Sequence, residues 1–523
     1  MFDTGTENAI PFWGARTKTA NGYDPLEIQN SSTVIYTGLI PGITNVTTRI
    51  RYMGFYCWLL NRLLKELENK KATTLSKKEQ ISLLRKSELL LAYIMHANYL
   101  IVDSSSTTGI GGSKYAGDNF NIHSAGVDLK KGEKSYWSNE MGVFGQYYVG
   151  AMQTLGLILS PDNGHHWYRC KKAGLSLAAA FEKNITTEIG DKFIDCVVRG
   201  YAELKYLTGI FKTFALHEIP DGEELDIYRK LILGKDSEDV PYSTCYRSQT
   251  IQLILNSIEL GAKSGQYKSY NNFVLPFLQE NFENVLSHNL EVAEVKKLWF
   301  IYELNELLHY CFESFHSGLL YYLTEEPQSL NAVFDLLLEE LEIECEERNA
   351  KVVSDLDDGS SIHKVYENMK KTKFVNSRLC YGIQLLYLLN KNTCIYLDEF
   401  LTQRIGTEPV KREGCAPILL PALIGDKERE KIQDVVKDIL FKAINRHTRS
   451  SFEKSSPSKG IVNNYLIDDG FIWKLRELDA TRTNPRIKNT LMYLIDMRLV
   501  TVTKGHEYLQ LTDEGEKILG GTL

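Results

Sequence analysis

Apolar residues near the carboxyl end of the chain recur with the period of a helix in two separate stretches. Residues 470–478 and 487–499 both carry them at steps of three and four, with the polar residues 480–486 between. Asn484 can cap the second helix, and Pro485 suits its first position because no backbone N–H is needed there. The pattern therefore predicts a helix, a turn and a second helix.

The period changes to two after Leu499. Residues 500–503 and 508–511 alternate between apolar and polar, and Lys504-Gly505 suits a hairpin turn between them. Residues 511–519 then have the pattern of a short capped helix. The pattern predicts a two-stranded wing followed by a closing helix.

The run "MRLVTVTKGHEYLQLTDEGEKIL" resembles the second half of a winged-helix domain. The resemblance implies that the second helix enters a major groove of DNA and that the wing contacts the backbone. Basic residues on an exposed helix are also ordinary solvated surface, so DNA contact and a structural or protein-docking role both stay open. The residues placed for DNA contact are Arg482, Arg486, Lys488 and Arg498 near the helix, with Lys504 and His506 on the wing.

A second stretch, residues 136–181, repeats this pattern. A helical period over 144–157 is followed by a hairpin and by "KKAGLSLAAAF", which is similar to the Leu-Thr-x-x-Gly start of the closing helix. This resembles a second winged-helix unit, whose wing offers Arg169, Lys171 and Lys172 to DNA. His165 and His166 are interpreted as polar wing-tip residues, because neighbours on a strand point to opposite faces and seldom bind one metal ion.

A long helix is predicted over residues 46–67, with apolar and aromatic residues around almost its whole circumference. Arg49 and Arg51 lie at its amino end, where they oppose the helix dipole unless they meet an anion or a carboxylate. One interpretation is phosphate contact. The other, which is favoured, is a pair of buried salt bridges to acidic residues such as Asp24 or Glu27.

The stretch "GLIPGITNVTTRIRYMGFYCWLL" around this helix is similar to a signature of bacterial proteins encoded in anti-phage defence islands. The similarity covers residues 39–60. It implies a component of a defence system, often encoded beside helicases or nucleases, and it gives no catalytic residue.

The remaining sequence is mostly helical in pattern, which predicts a mainly α, multi-domain fold. Glu306 and His309 have Glu-x-x-His spacing, and a partly buried polar stripe joining helices is favoured over a di-iron site because no second copy occurs. The Gly/Ser-rich residues 103–114 lack the spacing of a phosphate loop and are interpreted as a flexible loop.

Four domains are predicted: 1–125 (an N-terminal arm and helical domain), 126–185 and 446–523 (winged helices), and 186–445 (a helical bundle).

Net charge and cysteine content limit the classes of function and the cellular location expected of the chain. The 523-residue chain carries a net charge of −7, so any nucleic-acid binding needs a local basic patch. Residues 437–498 supply one, with 12 lysines and arginines against 7 acidic residues. Nine cysteines without a Cys-x-x-Cys pair, no secretory signal and no apolar run of membrane-spanning length predict a cytoplasmic protein without membrane association.

The sequence favours a non-enzymatic DNA-binding or scaffolding subunit of a multi-protein bacterial anti-phage defence system. Its expected partners are double-stranded DNA and other defence proteins, such as an ATPase, a helicase or a nuclease. Two alternatives stay open: a metal-dependent nuclease or other effector active only with partners, and a protein-only adaptor that docks an ATPase or helicase. No cofactor, metal or catalytic residue is assigned.

Overall fold

The structure, a computed structural model, is mainly helical, with 65% of the residues it describes in helices and 8% in strands, which confirms the predicted fold class. It divides into two compact units. Unit 1 combines Met1–Tyr36 with Phe277–Thr483, and unit 2 combines Thr37–Pro276 with Asn484–Leu523. The residues that the structure describes are 24–69, 76–99, 109–121, 123–130, 136–162, 167–234, 243–270, 273, 290–394, 397–405, 408–409, 414–454, 462–503 and 507–520.

The helices of the described residues are numbered in chain order. They are α1 (Gln29–Leu39), α2 (Arg51–Asn69), α3 (Lys77–Tyr99), α4 (Ser113–Asn119), α5 (Val149–Thr154), α6 (Lys172–Ile185), α7 (Thr187–Arg199), α8 (Leu204–Phe214), α9 (Glu223–Leu233), α10 (Ser243–Lys263), α11 (Leu290–Tyr322), α12 (Leu330–Glu347), α13 (Ile362–Lys371), α14 (Val375–Cys394), α15 (Leu397–Thr402), α16 (Ala416–Leu423), α17 (Ile432–Lys454), α18 (Ile487–Asp496) and α19 (Asp513–Leu519).

The strands are short and pair antiparallel. They are β1 (Gly126–Asp128) with β4 (Tyr201–Glu203), β2 (Ile158–Leu159) with β3 (Arg169–Cys170), β6 (Arg404–Ile405) with β7 (Glu408–Pro409), and β10 (Val500–Val502) with β11 (Leu509–Leu511). A three-stranded sheet has the order β5 (Gln328–Ser329), β9 (Phe471–Lys474), β8 (Tyr465–Asp468).

Helix α2 is the centre of unit 2. Phe55, Tyr56 and Trp58 are fully buried, as the sequence predicts for a helix with apolar residues on most sides. The helix begins at Arg51, five residues later than the predicted Val46. The residues before it form a turn instead, in which the backbone N–H groups of Thr44 and Thr47 each donate to the other residue's hydroxyl.

Unit 2 contains two segments of equivalent design. In each, a helix (α5 or α18) leads into an antiparallel hairpin (β2–β3 or β10–β11) and then a second helix (α6 or α19). The third residue of the second helix is a glycine, Gly174 or Gly515, that packs against the carbonyl oxygen of Leu157 or Leu499. The likeness between the two stretches that the sequence indicates is therefore present in their backbones.

The prediction of a helix over residues 470–478 is wrong. Residues 471–474 form β9, which pairs with β8 across a turn where Asp469 and Gly470 have φ values of 45° and 80°. Phe471 is 48% exposed and Ile472 fully buried, so side chains alternate as in a strand. These residues belong to unit 1, whereas α18 belongs to unit 2.

A helix and an isolated β-bridge from earlier in the chain complete the carboxyl-terminal segment of unit 2. Helix α10 packs against β11 and α19. Beyond α10, the carbonyl of Lys268 accepts from Leu509 N at 2.9 Å, and Tyr270 N donates to the carbonyl of Glu507 at 3.0 Å. The wing is thus flanked by residues more than 200 positions earlier in sequence.

Helix α11 is the longest element of unit 1, with 33 residues. It packs against α14, α16 and α17, and α12 lies against α14 and α17. Its interior positions include fully buried Trp299, Leu308 and Phe315. Among the described residues, no helix is both long enough and apolar enough to cross a membrane.

Candidate functional site

Arg482, one of the arginines predicted to contact DNA, binds side chains of its own unit instead. Its guanidinium binds the carboxylate of Glu303 and lies 3.8 Å from Glu306, which is fully buried. The ring of Tyr366 covers it at 5.4 Å. Its charge is therefore already matched by carboxylates of α11.

Arg486 and Arg498 also bind oxygens of their own chain. Arg486 Nη1 donates to the carbonyl of Ile43 at 2.7 Å. Arg498 donates to Asp221 Oδ1 at 2.5 Å and to the carbonyl of Ile219 at 2.7 Å. Both contacts tie the ends of α18 to earlier parts of unit 2.

The predicted lysines that the structure describes differ from these arginines in what they contact. Lys488 Nζ lies 5.3 Å from the centre of the Tyr270 ring, a cation–π contact. Lys171 and Lys172 are exposed at the start of α6, and Arg169 pairs with Asp162 at 3.0 Å. Lys504, His506, His165 and His166 lie outside the described residues.

Arg49 and Arg51 form buried salt bridges, as the favoured interpretation predicts, but with other partners. Arg49 Nη1 lies 2.7 Å from Asp496 Oδ1, and Arg51 Nε lies 2.9 Å from Glu224 Oε1. Arg51 also donates to the carbonyl of Ala215 at 2.6 Å. Each guanidinium is neutralised by a buried carboxylate, so it offers no unmatched charge to a phosphate. Removing either partner would leave the other charge unpaired in the core.

Asp24 and Glu27, the partners expected for Arg49 and Arg51, bind groups of unit 1 instead. Asp24 Oδ1 accepts from Ile28 N at 3.1 Å, near the start of α1. Glu27 Oε2 pairs with Arg449 at 3.2 Å.

The Glu-x-x-His stretch of α11 is a buried polar stripe that binds an extended segment. Glu306 accepts from the backbone N–H and the hydroxyl of Thr483 at 2.6 and 2.7 Å. Glu313 accepts from Thr481 N at 2.9 Å and lies 2.9 Å from His309 Nε2. Within the described part of the chain, no group of three or more His, Cys, Asp or Glu side chains could hold a metal ion.

Another buried carboxylate, Glu88 of α3, is not among the residues predicted from the sequence. It is 2% exposed and accepts four hydrogen bonds: from Tyr56 OH at 3.0 Å, Tyr136 OH at 3.4 Å, Val143 N at 3.0 Å and Phe144 N at 2.7 Å. Burial raises the pKa of this carboxyl to about 7, although its donors oppose the shift. An acidic residue inside the apolar run "SELLLAYIM" was the available signal.

The backbone beside Glu88 leaves room for its carboxyl group. Gly142 has a φ of 66°, and a Cβ atom there would lie 2.1 Å from Glu88 Oε2. The next turn, Phe144–Tyr148, is a π-helix, a rare element that is frequent at functional sites. Two of the four donors to Glu88 come from the residues where this turn begins.

Tyr136 connects Glu88 to a pocket of about 500 Å³. That volume lies in the range of small-molecule sites. The walls include three aromatic side chains and two charged ones, namely Tyr115, Tyr136, Trp137, Lys114 and Asp118. The Gly/Ser-rich residues expected to be a flexible loop supply one side: Gly111 N donates to Tyr52 OH at 2.9 Å, and α4 begins at Ser113.

No protein-family model matches the chain, and neither a curated protein nor a solved structure is significantly similar to it.

Proposed function

We propose that this protein is a non-enzymatic scaffolding subunit that binds a basic partner protein through the exposed face of α12. The observation that carries the proposal is the composition of that face. Leu336 and Ile343 are 47% and 56% exposed and lie seven residues apart, so they form an apolar strip along one side of the helix.

Acidic side chains border this strip on both sides. At 100° per residue, Glu339 and Glu346 fall on one side of it, and Glu340 and Glu347 fall on the other. Helix α12 contains no lysine or arginine, and the arginine that follows it, Arg348, pairs with Glu344 at 2.7 Å. An apolar strip between two acidic rows complements a helix with a basic, amphipathic face.

Two exposed aromatic side chains precede the residues that bind Glu340. Tyr322 and Asn376 hold this carboxylate at 2.5 and 3.1 Å. Tyr321 beside the first is 67% exposed, and Phe374 near the second is 75% exposed. Large aromatic groups of this kind are enriched at the centres of protein interfaces.

Scaffolding is favoured over DNA binding because the predicted arginines have other partners. Arg49, Arg51, Arg482, Arg486 and Arg498 all bind oxygens of their own chain. Membership of an anti-phage defence system is part of the proposal and is supported by the similarity of residues 39–60 to defence-island proteins. Deleting the gene from its natural locus should then abolish protection against phage.

The docking face is tested with the purified products of the genes adjacent to this one. Each is titrated against the full chain by calorimetry. The variant Leu336→Ser/Glu339→Lys/Ile343→Ser/Glu346→Lys should bind the cognate product at least about 10-fold more weakly, because apolar and charged contacts are both lost. The matched control is Glu428→Lys/Glu430→Lys, which reverses two exposed acids outside α12. Equal loss in the control, or unchanged binding by the α12 variant, would overturn the proposal.

A further inference from the structure

We infer that the pocket of unit 2 binds a compact organic cation, such as a methylated ammonium group. The site is formed by Tyr115 and Asp118 of α4 and by Tyr136 and Trp137. It is independent of the α12 face, which belongs to unit 1.

The angles between the aromatic rings favour a compact cation over a flat ligand. Tyr115 and Tyr136 have centroids 6.2 Å apart and planes at 83°, and Tyr136 and Trp137 lie 5.9 Å apart at 45°. Neither pair is parallel, so the walls form a corner rather than a slot that could sandwich a planar ring. A rounded ammonium group can contact several such walls, and each ring attracts it through its quadrupole.

The charges around the pocket strengthen this preference. Asp118 lies in the wall, and the Tyr136 hydroxyl donates to the buried carboxylate of Glu88 at 3.4 Å. The opposing charges are Lys114, whose exposed side chain keeps part of its hydration, and Arg85, whose guanidinium lies 5.8 Å from the centre of the Tyr136 ring. Because Arg85 already contacts Tyr136, the main aromatic partners of a bound cation are Tyr115 and Trp137.

The aromatic walls are fixed before any ligand arrives. Arg85 donates to the carbonyl of Trp137 at 2.9 Å and to that of Glu140 at 3.3 Å, which holds the Tyr136–Trp137 segment against α3. Gly112 has a φ of 79°, and a Cβ atom there would lie 2.0 Å from the Tyr136 ring. A site held in this way loses little conformational entropy on binding.

The test is a titration of the full chain with choline, followed by calorimetry and by Trp fluorescence. The neutral isostere 3,3-dimethyl-1-butanol and inorganic phosphate are titrated in parallel. Choline should bind saturably and about 10-fold more tightly than the isostere, the size expected of cation–π contacts. Equal affinity for the isostere would show a purely apolar pocket, and tighter binding of phosphate would show an anion site. Either result would overturn the inference, as would no saturable binding of choline.

Substitutions separate the contributions of the walls. Tyr115→Leu and Asp118→Asn should each weaken choline binding by about 5-fold or more, and Lys114→Gln should strengthen it by removing a like charge. Phe374→Leu, a change of one exposed aromatic residue in unit 1, is the control and should leave choline affinity unchanged. Weaker choline binding by Lys114→Gln would contradict a cation site.

Discussion

Gly156 and Arg498 occupy the same position in the two equivalent segments of unit 2. Each ends a helix in the left-handed conformation, with φ values of 71° and 57°. The next residue donates back over five positions: Leu157 N to the Met152 carbonyl at 2.9 Å, and Leu499 N to the Leu494 carbonyl at 2.8 Å. This is the arrangement of a Schellman cap, in which glycine is preferred because a Cβ atom is strained at positive φ.

The left-handed backbone makes Arg498→Gly less harmful than Arg498→Ala. Both changes remove the ion pair with Asp221. The Asp221 side chain is 84% exposed, so this pair contributes little to the free energy of unfolding. Only the alanine keeps the strain of a Cβ atom, so the glycine variant should unfold with a free energy about 1 kcal/mol higher. Urea denaturation of the two variants measures the difference. Gly156→Ala, the reciprocal change, should lose about the same amount; equal stability of the glycine and alanine variants at 498 would contradict the argument.

Gly174 and Gly515 are required where the second helix of each segment meets a carbonyl. A Cβ atom at either would lie 2.1 Å from the carbonyl oxygen of Leu157 or Leu499. Each change to alanine should therefore destabilise the protein by about 2 kcal/mol or more, since backbone must move. The matched control is Gly209→Ala in α8, where nothing lies within 4 Å. That change should be neutral or stabilising, because alanine is the better helix former. Thermal unfolding of the three variants gives the order.

Glu88 should make stability fall as the pH rises toward neutrality. Burial raises its pKa from 4.5 to about 7, so the folded chain holds a proton that the unfolded chain has released between these values. The unfolding free energy therefore decreases across this window, by at most about 3 kcal/mol. Glu88→Gln should remove that part of the slope in urea denaturation between pH 5 and 8. Asp496, whose pKa burial also raises to about 7, should retain its own part. An unchanged slope in the Gln variant would refute the assignment.

Arg482→Ala should affect stability rather than DNA binding. It leaves Glu303 and Glu306 without their cation, at a cost of about 3 kcal/mol. Fluorescence anisotropy with a labelled duplex should give the same affinity and salt dependence as the unaltered chain. Lys171→Glu/Lys172→Glu provides the comparison, because these two predicted DNA contacts are exposed lysines. If Arg482→Ala instead weakened duplex binding and its salt dependence while stability stayed constant, the arginine would be a DNA contact.

Local pattern predicted the elements whose burial follows their own period. Helix α18, the β10–β11 hairpin and α19 lie where the change from helical to alternating spacing places them. The same reasoning failed at residues 470–478, where Phe471 and Leu475 are spaced as in a helix by coincidence and are both partly exposed in and beside a strand. The turn at Asp469-Gly470, which reverses the chain, decided the structure there.

The candidate site was less accessible to sequence reasoning. The Arg-rich patch was visible as a charge surplus, but a count of charges does not show which arginines meet carboxylates. Glu88 was hidden inside a helix that reads as ordinary amphipathic structure, and its donors lie 32 to 56 positions away.

The sequence by itself determined that this protein is mainly α, that two stretches share one helix–hairpin–helix design, and that Arg49 and Arg51 need anionic partners at a helix start. These properties follow from local periodicity and from the helix dipole, which act over a few residues. Only the tertiary structure decided that Asp496 and Glu224 are those partners, that α10 and residues 268–270 complete the carboxyl-terminal segment, and that Tyr115, Tyr136 and Glu88 come together. Each of those contacts joins residues far apart in sequence, where chain entropy leaves the choice of partner to the packing of the whole unit.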